Sequence, residues 1–131
     1  MVWTVHLVQR IPVNVITLYC PPKDTHKAHD LHAQVLQAAD LVLRAGEPLI
    51  IAGDFNAKLL EVLGPALDKI GLRDVTGSEP TRHPQGLQQH APSKLDAIYT
   101  NARNMSKGCH VRNGPSDHSL LLAQLQFSNV P

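Results

Sequence analysis

An α/β fold built on one mixed sheet is the class this sequence predicts, and three observations predict it. β-Branched residues alternate along Val13-x-Val15-x-Thr17-x-Tyr19, the period-two pattern of a strand. A helical stretch follows at 24–44, where Leu31, Val35, Ala38 and Val42 fall at i, i+4, i+7 and i+11 as one buried stripe. Leu49-Ile50-Ile51-Ala52 is then a short unbroken apolar run, the kind covered on both faces. Strand, helix and buried strand in succession is an α/β order.

The remaining elements can be placed in turn. Residues 2–8 alternate weakly and form a candidate first strand. Pro21-Pro22 closes the second, Asp24 supplies an N-cap for the helix, and Gly46 lies just beyond its end. Leu63, Leu67 and Ile70 share one helical face, with Gly71 as the stop. Pro65 is expected in the first turn of this short helix, where its missing N–H costs nothing. Residues 76–93 carry loop chemistry without period, and 94–99, 106–111 and 119–127 read as three further strands. The order β-β-α-β-α-β-β-β contains no repeat, low-complexity tract or linker.

With 131 residues the chain makes one domain, and 43% apolar but only 4% aromatic content requires a core of aliphatic side chains. The formal net charge of +1 excludes a polyelectrolyte, yet charge is uneven. Between Pro80 and Arg112 stand Arg82, Lys94, Arg103, Lys107 and Arg112 against the single acid Asp96, a balance that attracts a polyanion. Solvated loop charges give the same count. Cys20 and Cys109 lie in apolar stretches and read as reduced structural thiols. No segment reads as a secretory signal or a membrane span, so the expectation is an intracellular protein with a nuclear location open to it. His26-x-x-His29-x-x-His32, with Asp30, reads as a solvated helix face, because three ligands across two turns rarely converge on one ion.

Three short strings carry the chemistry: Gly53-Asp54-Phe55-Asn56-Ala57, Ser93-Lys94-Leu95-Asp96-Ala97-Ile98-Tyr99 and Ser116-Asp117-His118-Ser119. Each sets an acid, amide or imidazole at the end or start of an apolar strand, where side chains are held rigidly and converge on one rim. Such a set can split a phosphate ester with a divalent cation. Taken singly, Asp54 and Asn56 read equally as turn formers, Asp117 as a cap and His118 as a surface histidine. Ser116, Asp117 and His118 are sequence neighbours, successive residues of a strand point to opposite faces, and so they cannot form a nucleophilic triad among themselves.

The order Asp54-x-Asn56, Leu95-Asp96, Ser116-Asp117-His118 resembles the endonuclease/exonuclease/phosphatase superfamily over about residues 13–127. That group includes apurinic-site endonucleases, pancreatic deoxyribonuclease, inositol-phosphate phosphatases and the endonuclease domains of non-LTR retrotransposons. The string from Ile51 to Ala57 is closest in phrasing to the last. The resemblance implies the C-terminal half of a deoxyribonuclease-like two-sheet α/β sandwich, with one mixed sheet, flanking helices and one uncovered sheet face. It implies Asp54 as the residue that orients or deprotonates water, Asn56 as a donor to phosphate, and Asp117 as ligand of Mg²⁺, with Mn²⁺ as the alternative ion. His118 would contact the phosphate and Asp96 would fix its tautomer. Tyr19 matches a phosphate-contacting Tyr, and Thr81 with Arg82 a substrate-facing pair, while a half-buried structural tyrosine and a loop-stabilising hydroxyl are the alternative readings of Tyr19 and Thr81. Pro22 stands where apurinic-site endonucleases carry Asn, which argues against abasic-site specificity.

Relatives also carry an Asn and a metal-binding Glu on early strands. Before Tyr19 this chain has Asn14, inside a strand pattern, and no Glu. Residues 1–131 are therefore expected to be an N-terminally truncated domain and a poor enzyme by themselves, completed by an N-terminal half or a second chain. The expected partner is DNA, with no membrane. A phosphatase-like member and a non-catalytic remnant are the two alternatives.

Overall fold

The computed structural model describes residues 12–84, 91–105, 109–112 and 116–127. The candidate strand at 2–8 lies outside them. Strand β1 (Asn14–Tyr19) leads through helix α1 (Thr25–Arg44) to β2 (Leu49–Asp54), which pairs parallel with β1. Helix α2 (Asn56–Lys69) and the short β3 (Arg73–Asp74) follow, then β4 (Asp96–Thr100), antiparallel to both β2 and β3. The sheet order is β1-β2-β4-β3, a mixed sheet with β2 in its interior. Four short strands complete the described chain: β5 (Asn104–Met105), β6 (Cys109–Arg112), β7 (Ser119–Leu122) and β8 (Leu125–Gln126).

Local chemistry explains the boundaries. The Asp24 side chain accepts from the Lys27 N–H at 2.9 Å and caps α1, and Gly46 at φ +71° ends it beyond Arg44. The buried stripe of α1 runs through Ala28, Val35 and Ala39, with Leu31, Leu36, Val42 and Leu43 packed beside it. The helix is therefore turned slightly from the stripe the sequence suggests, with Ala39 in place of Ala38 at its centre. From α2, Leu59, Leu63 and Leu67 are fully buried against Leu49 and Ile51, each side chain stabilising the fold by roughly 1.5–3 kcal/mol. Both helices thus cover one face of the sheet, together with Ile16 and Leu18.

Pro65 departs from expectation. It lies inside α2, not in its first turn, because the helix begins nine residues earlier at Asn56. An interior proline costs about 3 kcal/mol by removing a hydrogen bond to the carbonyl four residues back. Here Pro65 and Glu61 both lie on the exposed side, where water can serve that carbonyl, and the buried leucines outweigh the loss. Ile70 leaves the leucine face and is 39% exposed at the helix end.

The expected mixed sheet is present, but not every strand joins it. Among the described residues β5 pairs with β8 and β6 with β7 as separate two-stranded ribbons, and residues 119–127 break at Ala123-Gln124 into two strands. The break lets Leu121, Ala123 and Leu125 pack onto Ala52, Val75 and Ile98, on the sheet face away from the helices. That face is therefore partly covered by the chain's own C-terminal segment. What remains open is its β1 side, with Val15 43% and Tyr19 60% exposed.

Gly53 is where the backbone allows no side chain. At φ +155° in β2, an added Cβ would overlap the carbonyl oxygen of Leu18 on β1. Backbone cannot yield as a flexible side chain does. Gly53→Ala is expected to destabilise the fold by about 3 kcal/mol or more, read as a lowered midpoint in urea; an unchanged midpoint would show that the two strands separate more easily than their pairing implies.

Candidate active site

Ladder register places the site. Tyr19 pairs with Asp54, and Asp54 with Asp96, so three side chains stand in a row across β1, β2 and β4. The row lies on the face away from the helices, at the end where β1 and β2 finish and β4 begins.

Asp54 sits where the chain leaves the sheet. Its carbonyl accepts from the Cys20 N–H at 2.8 Å, and the Phe55 N–H donates to Leu95 O at 2.8 Å, so three strand ends are tied together. Asp54 Oδ1 accepts from the Asn56 N–H at 3.1 Å, closing a turn in which Asn56 adopts φ +52°. The Asn56 side-chain amide donates to the carbonyl of Cys20, which commits one of its two N–H groups to the scaffold.

Asp96 is completely buried. Its Oδ2 lies 2.7 Å from His118 Nδ1, while its Oδ1 is buried with no hydrogen-bond partner among the described residues. His118 is brought in by a backbone splint at 81–83. Arg82 forms isolated bridges to both Ser93 and His118, His83 N–H donates to Asp117 O at 2.6 Å, and Ser119 N–H donates to Thr81 O at 2.7 Å. The approach to β4 and the approach to β7 are thereby laced to one segment.

Thr81 itself is fully buried, and its hydroxyl accepts from both Leu95 N–H at 2.9 Å and Asp96 N–H at 3.0 Å. Of the two readings open for Thr81, the buried hydroxyl has the contacts of the loop-stabilising one, holding the strand that carries Asp96. Arg82, its expected companion, binds Asp117 through Nε and Oδ2 at 3.0 Å. Tyr19 is exposed beside Asp54 at the open end of the row. The structure thus gathers Asp54, Asn56, Asp96, Asp117, His118 and Arg82 at one rim, with Tyr19 at its edge and Thr81 beneath it.

Electrostatics separate the two outer carboxyls. Burial, then the neighbouring Asp96, pushes the Asp54 carboxyl above its ordinary value, against the opposing pull of the Asn56 N–H, His118 and Arg82. The hydrogen bond from Arg82, helped by the charge of His118, holds Asp117 below the usual carboxylate range. Asp54, Asp96 and His118 each offer a ligand atom, and those atoms lie within 4.8 Å of one another. Asp117 Oδ1 adjoins them, 4.0 Å from His118 Nε2. Carboxylate and imidazole donors suit a divalent cation, and the unpartnered Oδ1 of Asp96 is an unmet demand for a positive charge. The residues present therefore fit a divalent ion.

Lys94 was legible only as one charge among five. Its ammonium meets Asp74 Oδ2 at 3.1 Å, Thr76 Oγ1 at 2.9 Å and the Asp96 carbonyl at 3.2 Å, bracing β3 against the start of β4. The signal in the sequence is its place two residues before Asp96.

The profile of the Endonuclease/Exonuclease/phosphatase family matches residues 2–118. The chain belongs to this family. Curated proteins give no match. Among solved structures, a functionally unknown conserved protein from Enterococcus faecalis V583 is similar at 21% identity, with a TM-score of 0.70. The match covers 92% of this chain and 52% of that one, so the chain spans about half the length of the structure it resembles. The likeness establishes a deoxyribonuclease-like α/β fold with a mixed sheet and flanking helices. Membership points to phosphodiester hydrolysis at the level of the superfamily, generally with a metal ion. No described helix of this family member is long and apolar enough to cross a membrane.

Proposed function

We propose that this chain carries the hydrolytic rim of a Mg²⁺-dependent phosphodiesterase acting on DNA, of the type found with retrotransposons, with Mn²⁺ as the alternative ion. The observation that supports it most directly is the 2.7 Å contact of Asp96 with His118 beside Asp54. A phosphodiester repels nucleophiles through its negative charge, so hydrolysis needs that charge offset and a water oriented for attack. Asp54 accepts the proton of this water. Asp96 holds Nδ1–H of His118, fixing the ring's orientation and tautomer, and leaves Nε2 for a phosphate oxygen. Asn56 fixes the turn at Asp54 and offers its second amide N–H to phosphate, while Tyr19 reaches the substrate from the edge. A bound divalent ion, held by Asp117 and the adjoining carboxylates, supplies charge neutralisation at the non-bridging oxygens. The basic balance of residues 80–112 favours an extended polyanion over a small phosphate ester.

The test is nicking of supercoiled DNA by the 131-residue chain at millimolar Mg²⁺, beside hydrolysis of a small phosphate monoester. Weak nicking lost in His118→Ala is expected. Monoester hydrolysis without nicking would favour the phosphatase-like alternative, and nicking that survives His118→Ala would remove the site from consideration.

A further inference from the structure

Arg82 and Asp117 stand out at this rim because a fixed cation already occupies a carboxylate that the proposed function assigns to a divalent ion. We propose that Arg82 is the resident counter-ion of Asp117, so that its guanidinium and a divalent cation are mutually exclusive occupants of that carboxylate, and that loading the cation frees Arg82 to meet a phosphate of the substrate. This rests on the reading of Asp117 as a metal ligand.

The geometry requires an exchange of side chains, not of backbone. Arg82 exchanges two backbone hydrogen bonds with Ser93, at 2.9 and 3.0 Å, and is bridged to His118, while the Asp117 carbonyl accepts from His83. Both Cα positions are therefore held. The side chains are only partly enclosed, at 33% and 38% exposure, and have room to part. One oxygen of Asp117 takes Arg82 Nε, and the other faces His118 Nε2 at 4.0 Å. A dication approaching either oxygen meets a group that is, or can become, positive. Mg²⁺ demands near-octahedral geometry and short contacts, which leaves no place for a guanidinium at the same carboxylate. A half-exposed ion pair is weak enough to be displaced by a doubly charged ion. The released guanidinium lies beside His118, where its planar fork matches phosphate oxygens.

The experiment measures Mn²⁺ binding to the full chain by electron paramagnetic resonance of the free ion, with thermal melts to establish folding. Arg82→Gln is expected to tighten Mn²⁺ about two- to fivefold, the range set by losing a partly exposed pair. Arg82→Lys, which keeps the charge, should not tighten it. Asp117→Asn should weaken binding, and the double variant should resemble Asp117→Asn alone. If Asp117→Asn weakens binding but Arg82→Gln leaves it unchanged or weaker, the competition is overturned while Asp117 remains a ligand. If Asp117→Asn leaves Mn²⁺ affinity unchanged, the ligand assignment falls and the competition with it.

Discussion

Asp54→Asn will lower Mg²⁺-dependent DNA hydrolysis by about 10²–10⁴-fold, the span expected for loss of a general base. The carboxylate stands at the end of β2, between Tyr19 and Asp96, and is the carboxylate of the row that water reaches, because Asp96 is fully buried. The pH profile carries the sharper test. Burial and Asp96 raise the Asp54 carboxyl, so the active carboxylate forms only as pH climbs through a value above the ordinary 3.8. The acid limb of the wild-type profile will follow that value, and in the Asn variant it will vanish. Stability runs the other way. A group with a raised folded value contributes stability below its unfolded pKa and loses it as pH rises through the folded one. At neutral pH the Asp54 charge therefore opposes folding, and Asp54→Asn should melt no lower than the parent. Nicking rates across pH and parallel melts decide the matter; an Asn variant within tenfold of wild type, or one keeping the acid limb, would end the general-base assignment.

Asp96→Asn should separate activity from stability still further. The parent side chain is a buried carboxylate with one oxygen on His118 Nδ1 and the other without a partner. An amide of the same shape removes a buried charge whose second oxygen has no hydrogen-bond partner among the described residues, so the melting temperature is expected to hold or rise. It also removes the acceptor that holds Nδ1–H. If the amide turns its NH₂ toward Nδ1, the proton of a neutral ring moves to Nε2 and the tautomer is reversed. Hydrolysis is expected to fall by about 10²–10³-fold, a loss of the size seen when a stabilising group at the reacting centre is removed. Nitrogen-15 NMR of the His118 ring would show the changed tautomer. A variant that loses stability and activity together would make Asp96 a structural residue, not one that positions His118.

Much of this was legible in sequence because strand ends announce themselves. The apolar run before Asp54 and the one after Asp96 fixed both residues at strand termini, and Asp24 with Gly46 bounded α1. Less could be read where a long-range contact decides the outcome. Pro65 looked like a helix start because local rules weigh only its missing N–H; burial of Leu59, Leu63 and Leu67 carried the helix through it. Thr81 read equally as substrate-facing and as loop-stabilising, because a hydroxyl beside an arginine carries no sign of the two backbone N–H groups that arrive from Leu95 and Asp96. The Arg82–Asp117 pair spans 35 residues, beyond any period a sequence window can detect. The break in 119–127 likewise serves a partner surface, made by Ala52, Val75 and Ile98, that is written elsewhere in the chain.

The row of Tyr19, Asp54 and Asp96 has a consequence for how this chain can change length. A single-residue insertion inside β1, β2 or β4 turns that strand's member of the row toward the helices, whereas a double insertion keeps its facing and slides it along by about 7 Å. Odd and even insertions thus fail differently, one by orientation and the other by distance. Lineages carrying this rim can diversify through the connections, such as the long stretch between β3 and β4, but the segment 81–83 sets a limit there too. An added residue between Thr81 and Arg82 would separate the anchor of β4 from the bridge to His118, and one between Arg82 and His83 would part that bridge from the tie to Asp117, so length variation is admissible on either side of 81–83 and not within it.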